Sequence, residues 1–486
     1  MRLPSTRVLI LALALATGAN ADITLAPLFR DGAVLQREKP VPVWGTADAG
    51  ESITVTFAGQ SASATAGDDG RWSVTFKPLT ASSEPRDLAV SGRTKLVVHD
   101  VVVGEVWIAS GQSNMELTLN HATDAKSEIA AARYPLIRQF KVDHFSSHEP
   151  LDTAGGSWVE TTPKTAAKFG AVAYFFAVSL HESLHVPIGI INSSWGGTHI
   201  ESWIDETSFN AIDPARARHP AQAREKAGAL AEPSAPKVSL SAGTSFGLFN
   251  GMIHPLIPYA LRGAIWYQGE SNIRNRFVYH KYFTALIGGW RRAFEQGDFP
   301  FYWVQLPGFD PGKLNKTDWS WAQLREAQTK VLPLPATGQA ITIDIGDAAK
   351  LQLHPPIKKP VGQRLALLAL ARTYKVEHVI DSGPVFKSAK REGAAYRITY
   401  EPVAGASTPA SGALKAAPAG LTGFELAGSD KVFHPAEAKI DGATVVVSCA
   451  EVPEPAAVRY AFRNAPVTGL FNAEGLPAAP FRTDTW

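Results

Sequence analysis

The chain has almost no cysteine. Cys449 is the only one in 486 residues, so no intramolecular disulfide can form and stability has to come from a packed core. Cys449 lies in the apolar run 444–450 (TVVVSCA), which suits a buried structural thiol better than a nucleophile. A charge excess of either sign is also missing. Lys plus Arg number 47 against 45 Asp plus Glu, a net of +2, and 19% of residues are charged, so the basic footprint of a nucleic-acid binder is excluded. Long apolar runs are scarce, and the one at residues 8–16 is too short to span a bilayer. Arg2 and Arg7 precede it and Ala19-Asn20-Ala21 follows as a small-x-small site, the pattern of a secretory signal peptide over 1–21. Cleavage after Ala21 removes two arginines and takes the formal charge from +2 to 0. An exported protein, periplasmic or extracellular and free of the membrane after cleavage, is expected.

Internal repeats are absent, but three styles of sequence follow one another. Residues 22–100 carry short strand patterns, as at 41–44, 53–57 and 72–76, separated by turn residues that include the hairpin signal Asp69-Gly70. That predicts an all-β, sandwich-like module. From 101 to 375, short apolar strands (187–192, 263–268, 301–305, 340–345) alternate with helical patterns (171–185, 277–295, 321–331, 360–374). Such alternation predicts an α/β domain with a doubly wound parallel sheet. Residues 376–468 return to strand patterns as a second β module, and 469–486 is expected to pack back on the body. The Ala/Pro-rich stretch 211–236 reads as a surface excursion.

The centre of this organisation is 104–115, GEVWIASGQSNM. The run 101–109 is β-branched, aromatic and nearly uncharged, as in a strand buried on both faces. Gly111 supplies a sharp exit, and Ser113 follows at the strand's carboxyl end, where open α/β sheets bind ligands. The same residues also suit a plain helix N-cap, with Glu116 three residues on as a capping box. The α/β-hydrolase elbow Gly-x-Ser-x-Gly is not matched, because Met115 occupies its last position.

The loops beyond the other strands matter as much. Strand 187–192 runs into SSWGGT with Gly197, strand 263–268 into GESN with Asn272, and strand 340–345 into a loop holding His354. A serine, a glycine backbone, an asparagine amide and a histidine at one sheet edge make the inventory of acyl transfer: nucleophile, oxyanion donors and base. Singly, Gly197 suits any tight turn, Asn272 a cap, and His354 an ordinary loop.

GQSNM, SWGGTHIESW, WYQGESN and LHPPIKKPVGQRLA resemble the four blocks of the sialate O-acetylesterase group within the SGNH hydrolases. The resemblance extends over nearly the whole chain, through VLQREKPVPVWG and GRWSVTF early and FELAGSDKVFHPAEAKI and GLPAAPFRTD late. It implies a flavodoxin-like catalytic domain and hydrolysis of O-acetyl esters on carbohydrate, either sialic acid or a hemicellulose such as xylan or xyloglucan, without metal or organic cofactor. Ser113 matches the nucleophile and His354 the base. Gly197 and Asn272 match the oxyanion donors, together with the Ser113 N–H. One position departs from the group: Leu351 stands where an aspartate commonly precedes the histidine by three. Asp347, or Asp344, is then the carboxylate expected behind His354, the alternative being a backbone carbonyl.

Gln112, Trp195, Glu270 and Arg325 are candidate substrate contacts, and Trp203, Trp266, Tyr267, Trp319 and Trp321 also flank the blocks, either as sugar platforms or as core. His181-Glu182-Ser183-Leu184-His185 matches the zinc motif H-E-x-x-H, but Pro187 ends the helix at the second histidine and no third ligand comes after it, so no metal site is expected. A reading of a different class is a carbohydrate-binding array of β modules whose α/β domain has lost catalysis. The four block residues argue against it and Leu351 for it.

Overall fold

The computed structural model describes residues 22–213, 239–309, 319–345, 352–401 and 412–486. The expected signal segment and nearly all of the 211–236 excursion fall outside them. A large mixed sheet dominates, with helices packed on its parallel part and further sheets on either side in sequence. Its strands are β1 (Lys95–Gly111), β2 (Tyr134–Lys141), β3 (Trp158–Thr161), β4 (Ile188–Ser194), β5 (Gly263–Tyr267), β6 (Phe301–Val304) and β7 (Thr337–Ala340). They lie in the order β3-β2-β4-β1-β5-β6-β7. All neighbours in this path are parallel except β3, which joins β2 antiparallel.

β1 shows how its sequence divides the work. From Lys95 to Asp100 only Val98 is buried, with Lys95 and His99 exposed, whereas every residue from Val101 to Gly111 is buried. The first half pairs with Ser82–Ser91 of the N-terminal β region and the second half is the central strand of the α/β sheet. The module boundary expected near residue 100 therefore falls inside one continuous strand. From β1 the chain first adds strands on one side, β2 and β4, and then crosses to build β5, β6 and β7 on the other. The order reverses at β1, so a crevice opens beyond the carboxyl ends of β1 and β5, which is where such sheets place ligands.

The helices match the expected segments: Ala171–Leu184, Tyr279–Phe294, Ser320–Thr329 and Lys359–Leu368. Two local expectations shift. Asp69-Gly70 does form a turn, but it joins strands of two different sheets; the two-residue hairpin is Ala58-Gly59, both with positive φ (50° and 78°), between Ser52–Phe57 and Gln60–Thr65. The last parallel strand is Thr337–Ala340 rather than 340–345, because Ile341 and Ile343 leave the sheet to enter a second hydrophobic core built by the C-terminal strands. The segment 469–486 is woven into those sheets: Leu470–Asn472 pairs with Leu414–Ala416, and Phe481–Arg482 with Ala457–Tyr460. Cys449 is buried in this second core.

Gly111 closes β1 at φ +135°, and a Cβ there would stand 2.1 Å from the Tyr267 carbonyl oxygen. Both the conformation and the close approach of β5 exclude a side chain. Gly111→Ala should therefore lower stability by on the order of 4 kcal/mol, read from the urea midpoint at unchanged m value.

Candidate active site

The turn after β1 delivers the serine. Gln112 N donates to the Tyr267 carbonyl (3.0 Å), and a single helical turn, Ser113–Glu116, starts at once. Its N-cap is Gln112, no side chain caps it, and Ser113 is the first helical residue. The capping-box alternative therefore does not hold: Ser113 Oγ lies 2.8 Å from His354 Nε2 instead. Glu116 faces away from its own helix start and accepts from Gly196 N (2.8 Å) with Oε2.

β4 is buried along its whole length and ends in the second turn. Trp195 N donates to the Gly111 carbonyl (3.1 Å), which fixes this turn against the end of β1. Thr198 Oγ1 donates back to the Trp195 carbonyl (2.8 Å) and accepts from Trp203 Nε1 (2.9 Å). Gly196 lies so close to the serine that a Cβ on it would stand 3.3 Å from Ser113 Cβ. Gly197 has φ +74°, open space where a Cβ would be, and, among the described residues, an N–H with no acceptor.

After β5, Asn272 is fully buried in the short helix Glu270–Asn275. Its Oδ1 accepts from Ile200 N (2.9 Å) and Gln268 Nε2 (2.7 Å), so the amide orientation is fixed. One Nδ2 hydrogen goes to Glu201 Oε2 (2.7 Å), which leaves the other without an acceptor among the described residues. Gln268 Nε2 also reaches the Thr198 carbonyl (3.2 Å), tying the β5 turn to the β4 turn.

His354 arrives from the loop after β7. Burial and the nearby Lys358 cation hold its imidazole below the ordinary histidine value. Glu116 is held below the ordinary carboxylate value: burial opposes ionisation, but His144, the Gly196 N–H and Lys141 outweigh it.

The matched family model, described as carbohydrate esterase, sialic acid-specific acetylesterase, covers residues 103–229 and 248–371, more than half of the chain. The chain belongs to this family. It is 30% identical over 419 residues to the sialate O-acetylesterase of Rattus norvegicus, covering 76% of this chain and 77% of that one. Against the sialate O-acetylesterase of Homo sapiens the identity is 32% over 405 residues, covering 76% and 74%. A crystal structure of a carbohydrate acetylesterase from Xanthomonas citri superposes with a TM-score of 0.85 at 41% identity, covering 96% of this chain and all of that one. The chain is a carboxylic ester hydrolase, and Ser113, Gly197, Asn272 and His354 all fall within the matched segments.

The esterase uses several flanking residues differently from the sequence reading. Arg325 is not a sugar contact: it is fully buried, and its guanidinium donates to the carbonyls of Pro307 (3.2 Å), Asn464 (3.2 Å) and Arg463, binding the α/β body to the C-terminal strands. Burial pushes its guanidinium down to about 9. Glu270 is turned inward, with Oε1 accepting from Asn114 Nδ2 (2.5 Å). Gln112 is also buried, and its Oε1 accepts from Ser271 N (3.2 Å). These two side chains hold the turns together. Asp344 is spent on Arg364, in a two-pronged pair of 2.6 Å contacts, and so is not available to His354. Asp347 and Leu351 lie outside the described residues.

Among the aromatics, Trp203, Trp266, Tyr267 and Trp321 are core. Trp195 is half-buried and stacks face to face on His144, with centroids 4.3 Å apart and planes 6° apart. Trp319 is also half-buried, with the Arg459 guanidinium 4.4 Å from its ring centroid. In the H-E-x-x-H segment, His181 Nδ1 is engaged by the Val186 carbonyl (2.7 Å), Glu182 accepts from Tyr134 Oη (3.1 Å), and His185 lies past the helix end in a left-handed conformation. Among the described residues no cluster of three metal-ligating side chains occurs.

Sequence reasoning missed Asn114, His144, Glu201 and Lys358, and misread Glu116 as a cap. Asn114, Glu201 and Lys358 lie inside the recognised blocks, adjacent to or within four residues of the serine, Gly197 and histidine. His144 lies outside all of them and carries no local signal; only the β2 to β4 pairing brings it to Trp195.

Proposed function

We propose that the esterase releases acetate from O-acetylated carbohydrate through a Ser113 acyl-enzyme. The 2.8 Å approach of His354 Nε2 to Ser113 Oγ, in a chain of this family, carries the reading. Ser113 Oγ attacks the acetyl carbonyl carbon while His354 Nε2 takes the hydroxyl proton. The resulting oxyanion is received by the N–H groups of Ser113 and Gly197 and the free Asn272 amide hydrogen. The tetrahedral intermediate collapses, the sugar oxygen leaves with the proton from His354, and water then attacks the acetyl-enzyme through the same groups. Asp347 is the carboxylate proposed to hold His354 Nδ1, since Asp344 is committed to Arg364.

With the outer pair β2 and β3 set aside, the parallel strands β1, β4, β5, β6 and β7 lie side by side in the order 2-1-3-4-5 of their succession in the chain, which supports a flavodoxin-like SGNH domain. Half-buried Trp195, beside the nucleophile's turn, is the proposed sugar platform. Export through the N-terminal segment belongs to the same reading, and N-terminal sequencing of the secreted protein should then begin at Asp22.

The test is acetate release across acetylated sialosides and acetylated xylan and xyloglucan oligosaccharides. Turnover of at least one class is expected, and the class that turns over names the substrate. Hydrolysis of p-nitrophenyl acetate without turnover of any acetylated sugar would overturn the carbohydrate assignment, and no turnover of either would favour the binding-array reading. The pH profile has a definite sign. His354 acts only when neutral, and burial and Lys358 favour the neutral form, so the acid limb of kcat/KM should lie below the ordinary histidine value of about 6.5; a limb above it would show an Asp347 carboxylate at Nδ1 outweighing them.

A further inference from the structure

We infer that Lys358 is a positioning residue of this esterase: it orients Asn114 to clamp the main chain beside His354, and it places a buried ammonium four residues from the base. This rests on the serine acyl-enzyme reading. Lys358 is 1% exposed, and among the described residues no carboxylate lies within salt-bridge distance of it. Lysines are almost never fully buried without an ionic partner, since stripping the ammonium of water is costly. The contacts of this one indicate what it does. Its Nζ donates to Asn114 Oδ1 (2.5 Å) and stands 5.3 Å over the Tyr267 ring.

An ammonium can donate but not accept, so the oxygen of the Asn114 amide has to face it. Nδ2 is then forced the other way, where it meets Glu270 Oε1 (2.5 Å) and the Leu353 carbonyl (3.0 Å). Asn114 is covalently next to the nucleophile and Leu353 is next to the base. The Asn114 to Leu353 bond and the Ser113 to His354 contact thus close one small ring around the reacting groups. Glu270, from the turn that also carries Asn272, supplies the third side. In this way one amide joins three of the four blocks, and the lysine sets which way it points.

The charges obey the same geometry. Lys358 reaches the Glu270 carboxyl through the Asn114 amide and stands over the Tyr267 ring, and His354, four residues before it in the chain, contacts Ser113. Burial pushes the Glu270 carboxyl up, and its Oε2 has no partner among the described residues. Burial pushes Lys358 down to about 7, with Glu270 opposing. When Lys358 carries its proton, its field opposes protonation of the His354 imidazole.

Three substitutions separate orientation from charge. Lys358→Gln keeps a donor toward Asn114 Oδ1 and removes the charge, Lys358→Arg keeps the charge, and Lys358→Met removes both. In Lys358→Gln the His354 ring should titrate at higher pH by NMR, and the ratio of kcat/KM at pH 5 to that at pH 8 should fall by about threefold. Lys358→Arg should restore that ratio toward the parent value. Lys358→Met should also lose about tenfold in kcat at all pH values, with KM changed by less than about twofold. A Lys358→Gln protein with a parental melting curve whose His354 titrates at the parental pH would overturn the inference, as would a Lys358→Arg protein shifted as far as the Gln variant. These results can be read even if Lys358→Met does not fold. The histidine titration also needs no turnover, so a failure of the serine mechanism would show separately, as activity surviving in Ser113→Ala.

Discussion

Replacing Ser113 by alanine should lower kcat for acetate release by about 10⁶-fold, down to the residual catalysis that oxyanion donors and binding supply alone. The substitution removes one oxygen, which contacts the loop residue His354 and nothing that holds the fold together. The melting curve should therefore stay with the parent. His354→Ala should cost a similar factor, and the double variant should be no worse than either single one, because nucleophile and base act as one unit. Measurement is by single-turnover acetate release on purified variants. A folded Ser113→Ala protein within tenfold of the parent would remove the acyl-enzyme from the mechanism. Roughly additive losses in the double variant would mean that the 2.8 Å contact is incidental.

The parts of the site that were legible in sequence share one physical property: each sits just beyond an apolar run too short and too uniform to be anything but a buried strand. Ser113, Gly197 and Asn272 come after β1, β4 and β5, and knowing that parallel strands end at one edge is enough to bring them together. His354 was legible for a weaker reason, since the run before it was placed three residues too late at its start and five at its end. The run 340–345 looks like a strand because it is β-branched, yet Ile341 and Ile343 are apolar on behalf of the C-terminal core. Residues whose partners come from distant segments gave no such signal. Arg325 reads as a substrate contact until the carbonyls of Pro307 and Asn464 are seen around it. Glu270 looks like a sugar contact because it stands beside Asn272, but the chain turns it inward onto Asn114. The misread residues are mainly buried polar groups, whose meaning lies in what satisfies them, and one sequence does not record that.

Asn272 is the place where this distinction has the largest consequence after the nucleophile. Its carboxamide oxygen is held by Ile200 N and Gln268 Nε2 and one of its hydrogens by Glu201, so the remaining hydrogen is aimed without any freedom to rotate. A donor fixed in advance stabilises a developing oxyanion without reorganising when charge appears, which is why a single such donor is worth about 10²–10³ in kcat. Asn272→Ala should lose that factor in kcat with KM little changed, since the acetyl carbonyl in the ground state carries far less charge than the oxyanion. Asn272→Asp should be worse still: it removes the donor and sets a carboxylate against Glu201 in a buried site. Glu201→Gln tests the aim itself. It can still accept from Asn272 but with half the directing strength of a charged acceptor, so it should cost about tenfold and no more. If Asn272→Ala leaves kcat unchanged while Glu201→Gln lowers it, the carboxylate and not the amide serves the transition state, and the oxyanion hole then consists of the two backbone N–H groups alone.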